Sequence, residues 1–140
     1  MLARRYHEAR ANFAAGKMYH PLVHELEGLV LGIIGFGSSG QELARRARPF
    51  GMRIQAIDVR PIEPEILAEL QPEFIGSPAD IDRVVKDSDF VSLHLHLTPE
   101  TRHTLDARRI GLMKKSACII NVARGALVDE AAMHLSLIHI

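Results

Sequence analysis

The sequence predicts an α/β fold in which helices cover both faces of a doubly wound parallel sheet. Three observations lead to this prediction. Short, continuously apolar segments recur along the chain, as expected of strands that are buried on both faces of a parallel sheet. Segments with a helical period of apolar residues lie between them. A glycine-rich turn follows the first strand at once and leads into a helix.

The composition is typical of a soluble globular unit of about one domain, with 140 residues of which 47% are hydrophobic and 24% charged. It excludes disordered and collagen-like chains. The 17 basic and 17 acidic residues balance, so no overall field attracts nucleic acid or an anionic membrane, and neither is predicted as a partner. The apolar runs are far shorter than the roughly 20 residues of a membrane helix. With one cysteine and no recognisable secretory leader, a cytoplasmic location is predicted.

The chain opens with a predicted amphipathic helix over residues 2–15. Its apolar residues recur at steps of four, three and four and share one face: Leu2, Tyr6, Ala9 and Phe13. Gly16 ends this helix, and the irregular segment up to residue 28 is interpreted as a linker.

Strands and helices are predicted to alternate after the linker. The predicted strands cover residues 29–34, 53–59, 73–75, 90–95 and 117–122. The predicted helices cover residues 41–50, 66–70 and 106–113, and a further helix, capped by Ser77 or Asp80, runs to residue 85. In the first of these helices, Leu43, Ala47 and Phe50 are predicted to form the buried side. Cys118 falls in the last strand and is predicted to be a small core residue.

The turn after the first predicted strand has the spacing G-x-G-x-x-G, from Gly35 through Gly37 to Gly40. The first glycine permits the tight turn, the second lets a diphosphate approach the backbone, and the third lets the helix pack close to the strand. Free N–H groups at the helix N-terminus attract an anion, and the hydroxyls of Ser38 and Ser39 add donors. The turn predicts a Rossmann-like dinucleotide-binding domain; a turn that serves packing alone is the alternative.

The second predicted strand ends in an acidic residue that bears on the choice of dinucleotide. Asp58 stands 18 residues beyond the last glycine, where a carboxylate accepts hydrogen bonds from the adenosine ribose and repels a 2′-phosphate. This favours NAD over NADP. The nearby Arg60 could pair with a 2′-phosphate or be solvated, so the preference for NAD stays open to test.

Two segments resemble motifs of the D-isomer-specific 2-hydroxyacid dehydrogenases. Residues 121–130, Asn-Val-Ala-Arg-Gly-Ala-Leu-Val-Asp-Glu, preceded by Met-Lys-Lys-Ser at 113–116, match the most diagnostic segment of that family without a mismatch. Residues 88–101 are similar to a second motif. This motif and the residues just after it depart from the family pattern at two positions, since His96 stands where a proline is usual and Thr104 where an aliphatic residue is usual.

The resemblance implies an NAD-dependent enzyme that interconverts a D-2-hydroxy acid and its 2-oxo acid, with Arg124 as the catalytic and substrate-binding arginine. A guanidinium suits that role because its forked donors can hold a carboxylate and polarise the adjacent ketone. The resemblance also implies which residues line the dinucleotide: Ser38, Ser39, Asp58, Leu95, His96, Val122, Ala123 and Arg124. His94 and His96 share one strand face, but no third ligand accompanies them and no metal site is predicted.

Other parts of the family enzymes are not found in this sequence. The resemblance implies a catalytic histidine and a glutamate beyond the helix after Asp129, and a substrate domain in two parts. We therefore expect a partial dinucleotide-binding domain over residues 1–134, with a leading helix and linker at 1–28, a sheet incomplete at its C-terminal side, and no turnover by the chain alone. Residues 135–140 resemble a translated sequencing adaptor and are expected to be a non-native tail.

The resemblance implies a homodimer of the full-length protein, with Leu2, Tyr6 and Phe13 of the first helix as contacts. Two alternatives to a dehydrogenase remain at this point. One is an NADH-sensing interaction protein similar to the corepressors of the family. The other is a nucleotide-binding fragment without catalysis.

Overall fold

The computed structural model describes residues 5–18 and 25–138 and contains a five-stranded, fully parallel sheet. The strands are β1 (Val30–Ile34), β2 (Arg53–Ile57), β3 (Phe74–Gly76), β4 (Phe90–Leu93) and β5 (Cys118–Asn121). Their order is β3-β2-β1-β4-β5, so the chain winds outward first to one side of β1 and then to the other. The predicted doubly wound parallel sheet is confirmed.

Six helices connect or flank these strands within the described residues. They are α1 (Tyr6–Ala14), α2 (Ser38–Ala47), α3 (Pro64–Leu70), α4 (Ile81–Asp87), α5 (Ala107–Leu112) and α6 (Glu130–Ile138). Short 3₁₀ turns occupy Arg48–Phe50, Pro78–Asp80 and Gly125–Leu127. Both predicted caps before α4 take part, because Ser77 and Asp80 form a reciprocal capping box around the 3₁₀ turn that leads into it.

The helices build one hydrophobic core on each face of the sheet. Leu31 and Ile33 of β1 point to one face and pack with Ala44 and Ala47 of α2, whereas Ile34 belongs to the core on the α4 and α5 side. All five residues of β1 are buried, as expected of a central strand covered on both faces. Between β1 and α4 the approach is close, since a Cβ on Gly32 would overlap the hydroxyl of the buried Ser88.

Two predictions about buried residues are wrong. Phe50, predicted on the buried side of α2, is 61% exposed, because the 3₁₀ turn containing Pro49 ends the α-helical period before Phe50. Cys118, predicted in the core, is half-buried. The reason is that β5 is an edge strand: within the described part of the chain it pairs with β4 alone, on one side.

The first helix has no buried side. Its predicted extent, residues 2–15, shortens to Tyr6–Ala14 after Arg5 in a left-handed conformation, and residues 1–4 lie outside the described part, with Leu2 among them. No residue of α1 is buried, and Tyr6 and Phe13 are 47% and 69% exposed. Residues 19–24 of the predicted linker also lie outside the described residues.

The last helix continues past the predicted start of the tail. α6 runs without a break to Ile138, whereas residues 139 and 140 lie outside the described part. The origin of residues 135–140 stays a prediction. Across residues 5–18 and 25–138 no helix combines the length and the apolar character needed to cross a membrane.

Asp89 joins the amino ends of three strands. Its carboxylate accepts hydrogen bonds from the Val30 amide at 2.9 Å and from the Lys114 ammonium at 2.8 Å, and its backbone pairs with both Val30 and Cys118. Burial by itself raises the pKa of Asp89, but the Lys114 ammonium and the Val30 amide outweigh it and hold the pKa below its usual value. The carboxylate therefore stabilises the fold in its charged form.

We expect Asp89→Asn to lower the free energy of unfolding by about 1 kcal/mol at pH 7, since it replaces a charged hydrogen-bond acceptor by a neutral one. Because the folded pKa is depressed, this difference persists above the ordinary aspartate pKa of about 3.9 and disappears as the pH falls through the folded pKa. Urea unfolding between pH 3 and 7 measures it. Asp87→Asn is the matched control, since Asp87 makes no side-chain hydrogen bond within the described residues. An equal effect of the two variants at pH 7 would contradict the assignment.

Candidate functional site

The predicted site residues lie at one edge of the sheet, where the parallel strands end. Gly35 follows β1, Asp58 follows β2, His94 follows β4 and Val122 follows β5. The strand order reverses between β1 and β4, and in open α/β sheets ligands bind outside the carboxyl ends of the strands at such a switch point.

The glycine turn depends on close backbone contacts. Gly35 has a φ of +95°, a conformation that side chains other than hydrogen disfavour, and a Cβ there would lie 2.8 Å from the His94 carbonyl oxygen. A Cβ on Gly40 would overlap the Gly35 carbonyl oxygen. At Gly37 the nearest atom to an added Cβ is the end of the Arg60 side chain at 3.4 Å. The first and third glycines are thus required by packing, whereas a side chain at the second would meet only the flexible end of Arg60.

The turn forms the beginning of α2, which starts three residues earlier than predicted. Ser38 and Ser39 are exposed in its first turn, and Gly37, the residue before the helix, provides no side-chain cap. The first N–H groups of a helix have no intrahelical acceptor and carry the positive end of the helix dipole, so those of the exposed Ser38 and Ser39 are available to an anion. Gln41, which the sequence reasoning missed, donates from Nε2 to the Phe36 carbonyl oxygen at 3.0 Å and so supports the turn.

Asp58 links the end of β2 to the glycine turn. One carboxylate oxygen accepts the Phe36 amide at 2.7 Å, and the other accepts the Arg60 amide at 3.0 Å. The side chain is only 9% exposed, whereas that of Arg60 is 72% exposed, with its Nε 3.6 Å from the Asp58 carboxylate. Beside them lies a cleft of about 730 Å³, lined by Gly37, Ser38, Gln41, Arg60, Pro61, Ile62, Glu63, Glu65 and Ile66.

Arg124 lies on a loop after β5 that Asn121 shapes. The Asn121 side chain accepts the Ala123 amide at 3.1 Å and donates to the Arg124 carbonyl oxygen at 2.8 Å. The Arg124 guanidinium is exposed and donates to the Ala123 carbonyl oxygen. The asparagine was not predicted as a site residue, although asparagine at a strand end is a typical signal for such a side-chain turn.

A second cleft, of about 430 Å³, borders this loop. It is lined by Ile119, Asn121, Val122, Ala123, Arg124, Gly125, Val128, Glu130 and Met133. The two clefts share no lining residue. The structure thus packs Gly35 against both Gly40 and His94 and joins Asp58 to the same turn through the Phe36 amide, whereas Arg124 borders a separate cleft along the same edge.

The histidines after β4 differ in their surroundings. His94 is half-buried and bonds a serine at each ring nitrogen, Ser39 at Nδ1 (2.8 Å) and Ser92 at Nε2 (2.9 Å), and burial lowers its pKa. His96 is exposed, and its carbonyl oxygen accepts the Thr101 hydroxyl at 2.6 Å. Among the described residues, no group of three His, Cys, Asp or Glu side chains is placed to hold a metal ion.

The two departures from the family motif are accommodated locally. Near His96, the loop is held by Thr101, whose hydroxyl also accepts the Thr98 amide at 2.8 Å. Thr104 is 8% exposed, and its hydroxyl donates to the Thr101 carbonyl oxygen at 2.6 Å, so the buried polar group is satisfied. Leu95, next to His94, packs against the core on the α4 side.

Comparison with known proteins assigns the chain to a family. The profile described as "D-isomer specific 2-hydroxyacid dehydrogenase, NAD binding domain" matches residues 1–138. Hydroxypyruvate reductase of Thermotoga maritima is 46% identical over 110 residues, which are 79% of this chain and 33% of that protein. D-3-phosphoglycerate dehydrogenase of Methanocaldococcus jannaschii is 45% identical over 114 residues, 81% of this chain and 21% of that one.

The fold of this chain is similar to that of a solved member of the same family. The apo-structure of D-lactate dehydrogenase from Escherichia coli superposes with a TM-score of 0.82 at 31% identity, covering 99% of this chain and 43% of that one. The chain therefore spans less than half the length of these relatives. The chain belongs to the D-isomer specific 2-hydroxyacid dehydrogenases and corresponds to their NAD-binding domain.

Proposed function

We propose that the protein containing this chain interconverts a D-2-hydroxy acid and its 2-oxo acid by hydride transfer with NAD(H). The observation that supports this most directly is the placement of the glycine turn, Asp58 and Arg124 along one carboxyl edge of the sheet. Similar proteins named hydroxypyruvate reductase and glyoxylate reductase favour a small 2-oxo acid as the substrate class. When bound, the nicotinamide dinucleotide supplies or accepts the hydride.

The residues around the glycine turn fit a dinucleotide. The absence of a side chain at Gly37, where only the flexible end of Arg60 lies close, leaves room for a diphosphate, and the N–H groups at the start of α2 provide donors for it. Asp58 has a fixed direction because both of its oxygens accept backbone N–H groups, and its remaining acceptor positions can receive ribose hydroxyls. We assign Leu95, His96, Val122 and Ala123, at the same edge, to the rest of the dinucleotide's lining.

Arg124 is assigned to the substrate. Its guanidinium is exposed and bonds only a neighbouring carbonyl oxygen within the described residues, so it can turn to an incoming carboxylate at little cost. Bidentate binding of that carboxylate would orient the adjacent ketone for hydride transfer and stabilise the negative charge that develops on its oxygen. No histidine of this chain is assigned as the proton donor, and we infer that the chain alone binds NADH without turnover.

In the full-length enzyme, Arg124→Ala is expected to lower kcat/KM for glyoxylate or hydroxypyruvate by about 10²–10³-fold, as for the loss of one preorganised donor to a developing oxyanion. NADH affinity should stay within about twofold, because the variant leaves the glycine turn and Asp58 intact. The loss of NADH absorbance measures kcat/KM, and NADH fluorescence measures the affinity for NADH. Arg102→Ala, which removes another exposed arginine, is the control. Unchanged turnover in Arg124→Ala would refute its role.

Asp58→Asn is expected to shift the preference between NADH and NADPH toward NADPH by about tenfold, since it removes a charge that repels a 2′-phosphate and retains an oxygen for the Phe36 amide. Titration of the 140-residue chain with both dinucleotides measures this shift. Glu63→Gln, in the same cleft, is the control. Adding Arg60→Ala to Asp58→Asn should reverse the gain in NADPH preference if Arg60 pairs with the 2′-phosphate. A preference that is identical in Asp58→Asn and the parent chain would show that the carboxylate does not select the cofactor.

We further propose that the full-length protein forms a homodimer through α1, whose Tyr6 and Phe13 rings are exposed. Replacing both by serine should convert the dimer to a monomer in sedimentation equilibrium, because the apolar area that a partner would cover is lost. Replacing the exposed Lys17 and Met18, just past the helix, by serine serves as the control. A dimer that survives the Tyr6 and Phe13 substitutions would place the interface elsewhere.

A further inference from the structure

Three polar side chains form a hydrogen-bonded row from the interior of the sheet to the glycine turn. Ser92 in β4 is fully buried, and its hydroxyl lies 2.9 Å from Nε2 of His94. Nδ1 of the same ring lies 2.8 Å from the hydroxyl of Ser39. Ser39 is exposed in the first turn of α2, beside the N–H groups that the turn presents to an anion. We call Ser92, His94 and Ser39 the serine–histidine row.

The burial of Ser92 determines the direction of these hydrogen bonds. Within the described residues, Nε2 of His94 is the one partner of the Ser92 hydroxyl. A buried donor without an acceptor costs more than an oxygen with an unused lone pair, so Ser92 donates to Nε2. A neutral imidazole accepts at one nitrogen and donates at the other, so Nδ1–H donates to Ser39. Burial lowers the pKa of His94, which keeps the ring neutral near pH 7.

This direction leaves the hydrogen of the Ser39 hydroxyl free. Because Ser39 receives a hydrogen bond from His94, its own O–H can point away from the ring, toward the anion side of the turn. In the opposite arrangement, Ser39 would donate to Nδ1 and present only lone pairs to a phosphate, which repel its negative charge. The orientation of an exposed hydroxyl is thus coupled to a buried serine.

We propose that Ser92 and His94 are positioning residues that orient the Ser39 hydroxyl to donate to the diphosphate of the bound dinucleotide. This inference rests on the proposed function, since it requires that the turn binds the diphosphate. The buried Ser92 faces His94 rather than the cleft. It is nevertheless expected to have a measurable effect on the affinity for the diphosphate part of the ligand. Ser39 itself is the group that touches the phosphate.

The test uses the 140-residue chain and compares its calorimetric affinity for ADP, which has the diphosphate, with that for adenosine, which lacks it. Ser39→Ala should weaken ADP binding by about tenfold, the usual effect of losing a charge-assisted hydrogen bond, and leave adenosine binding unchanged. Ser92→Ala should weaken ADP binding severalfold with the same selectivity, because Nδ1 can then accept the Ser39 proton. The double variant should bind ADP no more weakly than Ser39→Ala alone.

Two further variants separate positioning from a general loss of structure. Ser88→Ala removes a serine that is equally buried but donates to the Val84 carbonyl oxygen instead of a histidine, and it should not change the ratio of ADP to adenosine affinity. Ser39→Thr retains a hydroxyl and should retain ADP affinity. If Ser92→Ala fails to fold, His94→Phe takes its place, alone and combined with Ser39→Ala. His94→Phe removes both ring nitrogens at a half-buried position.

The outcomes distinguish this inference from the proposed function. If the unaltered chain binds neither ADP nor NADH, the proposed function fails. If it binds both but Ser92→Ala retains full ADP affinity, or the effects of Ser92→Ala and Ser39→Ala add, the serine–histidine row does not orient the hydroxyl and the inference is overturned. Selective, non-additive losses for ADP support it.

Discussion

The close packing of backbone at the glycine turn is the constraint on which the rest of the structure depends. Gly35 brings the chain against the His94 carbonyl oxygen after β4, and Gly40 brings α2 against the Gly35 carbonyl oxygen. These contacts join β1, α2 and β4 at the point where the strand order reverses. Because protein interiors are close-packed, a methyl group at either position would require a backbone shift in several elements at once.

The geometry of the dinucleotide site follows from that packing. The turn holds the start of α2 over the end of β1, so the free N–H groups of the helix lie beside the cleft. Asp58 strengthens the arrangement because its carboxylate accepts an amide from the turn as well as one from its own strand end. Asp58, which we propose selects the cofactor, thereby also contributes to the shape of the turn.

The other half of the edge is built with fewer contacts. The loop after β5 is ordered by the local hydrogen bonds of Asn121, and Arg124 is exposed on it. In the described part of the chain β5 has a neighbour on one side only. Its first three residues are therefore half-buried and Asn121 is exposed, whereas all five residues of β1 are buried. The loop that carries Arg124 therefore rests on local turn chemistry, whereas the glycine turn rests on the packed core.

The strands, the glycine turn and the family could be predicted from the sequence because each depends on a local sequence pattern. Hydrophobic periodicity located all five strands, the glycine spacing located the turn, and the segment around Arg124 identified the family that the comparisons confirm. Strand ends were placed within about two residues, the usual uncertainty where a hydrogen-bond ladder begins and ends.

Only the tertiary structure decided the remaining features, because they depend on residues distant in sequence. Phe50 is exposed although its spacing placed it with Leu43 and Ala47, since a 3₁₀ turn interrupts the helical period. The burial of Cys118 depends on how many strands flank β5. The bonds of His94 to Ser39 and Ser92 join the glycine turn to β4, and no local pattern encodes a contact between residues 55 positions apart. Local periodicity determines which elements form, whereas packing between them determines which side chains meet.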